Sequence, residues 1–228
     1  MNENDLRKAV LDTARALNAS NLNRGEAGNV SARCDAGFLV TPTGMAYADA
    51  TPADMVPMKL DGTSQGARAP SSEWRFHRDI YVARAEAGAI VHAHSPFATA
   101  LACIGKDIPP FHYMIARFGG STIRCAPYAT FGTQELSDNA LAALKKRSAC
   151  LLANHGMIVF GSDLKNALAL AIEFETLCEH YWRALQAGEP RLLSDSEMRV
   201  VLEKFKGYGQ QRGSEPPLSI SLPTGERG

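Results

Sequence analysis

The chain has 228 residues, 24 basic and 24 acidic side chains, and an apolar fraction of 45%, enough for the core of one domain or of two closely fused ones. A formal net charge of zero gives no electrostatic footprint for nucleic acid or an anionic membrane surface, and no apolar run is long enough to span a bilayer. The polar, acidic start Met1-Asn2-Glu3-Asn4-Asp5 is unlike a signal peptide, and the five cysteines, with no C-x-x-C pair, are expected to be free, mostly buried thiols of a cytoplasmic protein.

Leu6, Ala9, Val10, Thr13, Ala14 and Leu17 recur at helical spacing and predict an amphipathic opening helix. After a polar break at 18–23 and the glycine-bearing loop Arg24 to Asn29, Val30-Ser31-Ala32-Arg33 reads as a strand. Asp35-Ala36-Gly37 turns it into a second strand, Phe38 to Thr41. Thr51-Pro52-Ala53-Asp54 predicts a short helical start. Met55 to Leu60 predicts an outer strand, because Pro57 cannot donate to a ladder.

The stretch Ser71 to His94 organises the chain. Ser71 and Ser72 offer capping hydroxyls, Glu73 suits the positive first turn, and Phe76, Ile80 and Ala83 form an apolar stripe. Ala89-Ile90-Val91 then reads as a strand running into His92. Strand side chains alternate, so His92 and His94 share one face. Ser95-Pro96 predicts a helix to about Cys103, while Phe111 to Ala116 fits either helix or loop.

Ile123-Arg124-Cys125 reads as a strand, and Thr133 caps a helix predicted to reach about Arg147. Apolar strands at 150–153 and 157–160 flank Asn154-His155-Gly156, and Asp163 caps a long helix to about Gln186. Ser194-Asp195-Ser196-Glu197 is a capping box for a last helix, and residues 210–228 form an aperiodic tail expected to fray. No linker divides the chain, so residues 1–209 are expected to form a single domain with helices on the faces of a mixed or antiparallel sheet.

Two imidazoles on one rigid face make a bidentate clamp for a divalent metal. Glu73, His92, His94 and His155 are the candidates, and His155 is an odd residue for a tight turn between apolar strands. His155 alone would be read as a hydrogen-bonded core residue. The His92/His94 pair is what asks for a common partner. Isolated His77, His112 and His180 receive no ligand role. Three histidines and a carboxylate suit catalytic zinc acting on a carbonyl, with the glutamate as a base when it leaves the metal. Gly28-Asn29, Thr43-Gly44 and Ser71-Ser72 each offer amide or hydroxyl donors next to flexible backbone, and together could hold a phosphate without lysine or arginine.

Taken with their order and spacing, these segments resemble the class II aldolase/adducin family. The matching stretches are Gly28 to Ser31, Thr41 to Gly44, Ser71 to His77, Val91 to His94, His112 to Ala116, Cys125 to Thr133, His155-Gly156 and Glu203 to Gly209. The resemblance implies a three-layer α/β/α fold with a mostly antiparallel central sheet, and a homotetramer with active sites between subunits. It implies zinc on His92, His94 and His155, with Glu73 as resting ligand and then base, and a phosphate taken by Asn29, Thr43, Gly44, Ser71 and Ser72. Tyr113 would come from the adjacent subunit as proton donor, and Phe131 and Tyr208 would shape the aldehyde pocket. The implied activity is reversible cleavage of a ketose 1-phosphate of the L-fuculose 1-phosphate type to dihydroxyacetone phosphate and a small aldehyde such as lactaldehyde.

Relatives of other activity share the fold. The 4-epimerases of the family carry aspartate where Glu73 stands and a lysine near the Thr43-Gly44 loop, which this chain lacks. Dehydratase and decarboxylase relatives stay open. An adducin-like binding module would lack the histidine set. The chain departs from the family in the length of its segment beyond Tyr208, which leaves the aldehyde partner open.

Overall fold

The computed structural model describes residues 2–207, so Tyr208 and the tail expected from 210 onward lie outside the described residues. The chain opens with helix α1 (Glu3–Ala19), capped by the Asn2 side chain accepting from the Asp5 amide. Strands β1 (Asn29–Cys34) and β2 (Gly37–Val40) form the expected hairpin. A 3₁₀ turn (Pro52–Asp54) leads into β3 (Val56–Met58), which lies at the sheet edge where Pro57 is tolerated.

Helix α2 (Trp74–Ala83), strand β4 (Ala89–Ala93) and helix α3 (Pro96–Ala102) come next. The open segment after Phe111 is a 3₁₀ helix, Tyr113–Phe118. Strand β5 (Cys125–Ala126) is shorter than expected, with Ile123 making an isolated bridge to Ile108. Helix α4 (Gln134–Ala143) stops short of Arg147, and Lys146 takes a positive φ of 61°. Strands β6 (Ala149–Leu152) and β7 (Gly156–Gly161), the 24-residue α5 (Leu164–Ala187) and α6 (Asp195–Phe205) complete the order. Asp163 and the Ser194/Glu197 capping box start the last two helices as expected.

The seven strands pair in the order β3-β2-β1-β4-β7-β6-β5. All pairs are antiparallel except β5 with β6. Alternation along the strands divides the core into two layers. Val30, Ala32, Val91, Ala93, Met157 and Val159 face α1, α3 and α5, while Phe38, Val40, Ile90, Ile158 and Phe160 face α2 and α4. Helices therefore cover both faces, which gives the three-layer, mostly antiparallel α/β/α architecture. Of the five thiols, all free, only Cys150 and Cys178 are buried. Cys103 is exposed, and the expectation of mostly buried cysteines is corrected.

One glycine is set by the approach of β1 to β4. Gly28 has φ +73°, and a Cβ there would lie 2.6 Å from the His92 carbonyl oxygen and closer still to the Asn23 amide. Gly28→Ala should cost about 1–3 kcal/mol of unfolding free energy, the range for a strained backbone, and urea denaturation reads it directly.

Candidate active site

Sheet alternation that buries Val91 and Ala93 on one face sends His92 to the other, against α2. Asn29 of β1 is its cross-strand partner. His94 lies just past the strand end. Its backbone amide donates to the buried Asn23 side chain at 3.0 Å, which fixes where the chain leaves the sheet. His155 sits in the β6–β7 turn, where Asn154 takes φ 55° and the His155 amide donates to the Leu152 carbonyl at 3.1 Å. Two strand ends and one turn thus bring residues distant in sequence to one point.

The three rings meet edge to face with centroids 4.8–4.9 Å apart. One ring nitrogen from each lies within 4.8 Å of the others, the group among the described residues able to hold a metal ion. His92 Nε2 is 3.0 Å from His94 Nε2. His92 Nδ1 faces the Met157 carbonyl at 2.8 Å, so the ring donates there and leaves the Nε2 lone pair toward the cluster. Three imidazole nitrogens converging beside a carboxylate fit a divalent metal.

Glu73 is placed differently from its sequence expectation. It occupies the N-cap position of α2 rather than its first turn, and neither it nor the serines caps the helix through a side chain. Ser71 Oγ instead accepts from the Glu73 amide at 3.3 Å, and the Trp74 amide donates to the Ser71 carbonyl. The carboxylate turns inward, with Oε2 3.2 Å from His92 Nε2 and Oε1 3.2 Å from His155 Nε2. Oε2 also accepts from Asn29 Nδ2 at 2.9 Å, whereas the buried Oε1 has its 3.2 Å contact with His155 Nε2 and no further hydrogen-bond partner. Burial alone would push the Glu73 carboxyl up. The adjoining His92 and His155 outweigh burial and hold it below the usual carboxylate range. His92 is moved up on balance, because its desolvation is outweighed by Glu73. Desolvation of its inner edge, then the nearby His92 and His155, push His94 down to about 4.

These groups open into a cavity of about 330 Å³. Gly28, Asn29, Thr43, Gly44, Ser71, Ser72, Glu73, Phe131, His94 and His155 all line it, so the three separate donor loops do converge. Tyr113 does not line it. It projects from the 3₁₀ helix with 51% of its surface exposed, so this chain alone does not bring it to Glu73. A larger open groove of about 1270 Å³ runs between α1, the β1–β2 hairpin and the start of α5. It contains none of the candidate residues, and the donor chemistry, not size, marks the smaller cavity as the site.

Sequence reasoning passed over several residues that the fold brings in. Tyr128 and Asn154 line the cavity. Buried His77 bonds Asn29 and Ser31. Its position four residues after Glu73 on the buried face of α2 was the signal that could have found it. Ser95 holds the N-cap position of α3 as expected, but Glu175 of α5 satisfies the helix end, accepting from the Phe97 and Ala98 amides at 2.7 and 2.9 Å and from Ser95 Oγ at 2.6 Å. A cap supplied 80 residues away leaves no local signal.

Imidazoles from a strand end and a turn, a helix N-cap carboxylate beside them and a pocket of uncharged donors make a group that could hold a metal ion at the edge of a mixed sheet. The chain belongs to the class II aldolase/adducin family: the model of the Class II Aldolase and Adducin N-terminal domain matches residues 8–182. It is an enzyme of the class II aldolase type. A 5-methylthioribulose-1-phosphate/5-deoxyribulose-1-phosphate aldolase of Rhodospirillum rubrum is 54% identical over 204 residues, 90% of this chain and 92% of that protein. An L-fuculose phosphate aldolase of Escherichia coli is 46% identical over 210 residues, covering 92% of this chain and 98% of the relative. A solved L-fuculose 1-phosphate aldolase superposes with a TM-score of 0.85 at 38% identity, over 89% of this chain and 96% of that one. Among the described residues, no helix is long and apolar enough to cross a membrane.

Proposed function

We propose that the protein is a zinc-dependent aldolase that reversibly cleaves a ketose 1-phosphate to dihydroxyacetone phosphate and a small aldehyde. The observation that carries this reading is the meeting of three imidazoles and the buried Glu73 carboxylate, with His94, His155 and Glu73 lining a cavity rimmed by phosphate-ready donors and His92 buried behind them. His92, His94 and His155 would hold the metal, with Glu73 as a fourth, displaceable ligand. The bound cation supplies Lewis-acid polarisation of the substrate carbonyl.

The chain's own groups account for the remaining steps. Asn29, Thr43, Gly44, Ser71 and Ser72 take the phosphate through neutral donors, with Gly28 letting the backbone approach. The entrance of α2 contributes the positive end of its dipole. Glu73 Oε2 is already engaged by Asn29, so Oε1 is the oxygen free to take the proton from the carbon beside the carbonyl during condensation. Tyr128 and Phe131 stand exposed at the cavity rim and suit the apolar end of an aldehyde. Tyr208 is assigned to the same pocket by the family resemblance.

Relatives named for methylthioribulose, deoxyribulose and fuculose phosphates would share the phosphate end of the ketose and differ in the aldehyde. A cleavage screen over fuculose-, rhamnulose-, 5-deoxyribulose- and 5-methylthioribulose 1-phosphates, with ribulose 5-phosphate as the epimerase control, tests the reading. Release of dihydroxyacetone phosphate from at least one is expected, and epimerisation without cleavage overturns it.

Tyr113 would reach the site from a neighbouring subunit of a homotetramer and protonate the nascent alkoxide. Tyr113→Phe and Glu73→Gln proteins, each nearly inactive alone, should regain a measurable fraction of activity when unfolded together and reassembled as mixed oligomers. In such oligomers some sites combine an intact Tyr113 with an intact Glu73. No recovery in oligomers proven mixed by mass would place Tyr113 outside the shared site.

A further inference from the structure

A buried line of polar groups runs from α2 and β1 to the Glu73 carboxylate, and the metal and phosphate roles proposed above leave most of it unused. Tyr81 Oη is 2.8 Å from Ser31 Oγ, and Ser31 Oγ is 2.7 Å from His77 Nδ1. On the other side of the ring, His77 Nε2 is 2.5 Å from Asn29 Oδ1, and Asn29 Nδ2 is 2.9 Å from Glu73 Oε2. Tyr81, Ser31, His77 and Asn29 are all buried, with His77 and Ser31 at 0% exposure. Buried polar atoms find partners, so the direction of each bond in such a line is set by its neighbours.

Glu73 fixes one end, because a carboxylate only accepts. Asn29 must then present its NH₂ to Glu73 and its carbonyl to His77. His77 must answer with a donor, so its proton sits on Nε2 and its Nδ1 accepts from the Ser31 hydroxyl. Ser31 accepts in turn from Tyr81. One arrangement of protons satisfies every member, and it requires a neutral imidazole in the Nε2–H form. Reversing the line would turn the Asn29 carbonyl toward the Glu73 carboxylate, acceptor against acceptor. Phe76, stacked on His77 at 4.7 Å, holds the ring plane.

We infer that His77 is a positioning residue that fixes the Asn29 amide. It does so by donating from Nε2, so that one Asn29 N–H holds Glu73 Oε2 and the other faces the phosphate cavity. The consequence for the reaction rests on the aldolase reading. The proton arrangement does not.

Two measurements keep the inference separate from that reading. In protein labelled with ¹⁵N at histidine, the His77 resonances should show a protonated Nε2 and a bare Nδ1. A Nδ1–H tautomer or an imidazolium at neutral pH overturns the inference, whatever the enzyme cleaves. Kinetics on the ketose phosphate found by the screen provide the second. His77→Phe keeps the stacked ring and removes the donor, and kcat/KM should fall on the order of 10- to 100-fold, as for outer groups that orient a site, while metal content stays stoichiometric. His77→Gln restores a donor and should recover most of the loss. Unchanged kinetic constants for folded His77→Phe would overturn the positioning role, as would an equal loss in both variants.

Discussion

Glu73→Gln should lower the cleavage rate on the order of 10²–10⁴-fold, about 3–5 kcal/mol in the activation barrier, the usual contribution of a placed general base. The substitution is nearly isosteric. A glutamine carbonyl can still accept from Asn29 Nδ2, and the three imidazoles that would hold the metal are untouched. Metal content should therefore remain high while exchange of the dihydroxyacetone phosphate carbon-bound proton with solvent is lost. That exchange needs no aldehyde, so it isolates the proton-transfer step from carbon–carbon bond cleavage. Retention of wild-type exchange in the folded, metal-loaded variant would remove Glu73 as the base.

The second large effect is expected at the imidazoles. His155→Ala is the cleaner substitution, because His155 lies in a turn and is only partly covered. His92 is fully buried on β4, where alanine would also open a cavity. With free metal at 100 to 1,000 times its dissociation constant, the wild-type protein should gain about 3–4 kcal/mol of stability from binding. Chelation should remove that increment and lower the melting temperature. His155→Ala should purify without stoichiometric zinc and melt at the same temperature with or without chelator. A variant that still carries one zinc per chain would show that His155 is not a ligand. His92→Ala should behave alike in metal content, with an added loss of stability from the missing ring.

The elements divide along a physical line in how far the sequence reveals them. Helix α5 is legible because Asp163 caps its own helix three residues on, and α6 because Ser194 and Glu197 bond reciprocally over the same span. The edge placement of β3 comes from one missing N–H at Pro57. Each of these signals is local, carried by bonds between near neighbours. At α3 the sequence places the N-cap at Ser95 correctly but not the group that meets the free amides, since Glu175 arrives from another helix. Glu73 shows the same limit. Its chemistry suits a first turn, but its inward turn is dictated by His92 and His155, which belong to β4 and the β6–β7 turn. His77 looks isolated in the sequence because its partners, Asn29 and Ser31, are 48 and 46 residues away.

By itself the sequence determined the kinds of groups available: a same-face histidine pair at a strand end, a third histidine in a turn, and three short loops rich in uncharged donors. It also determined the mixed sheet between helices, because period, caps and turn residues act within a few positions of themselves. Only the tertiary structure decided that the three donor loops share one cavity, that Glu73 keeps one oxygen unbonded, and that Asn29 is held from behind by a buried imidazole. Those outcomes depend on the antiparallel register that sets Asn29 opposite His92, and a register is a relation between distant strands that no local stretch encodes.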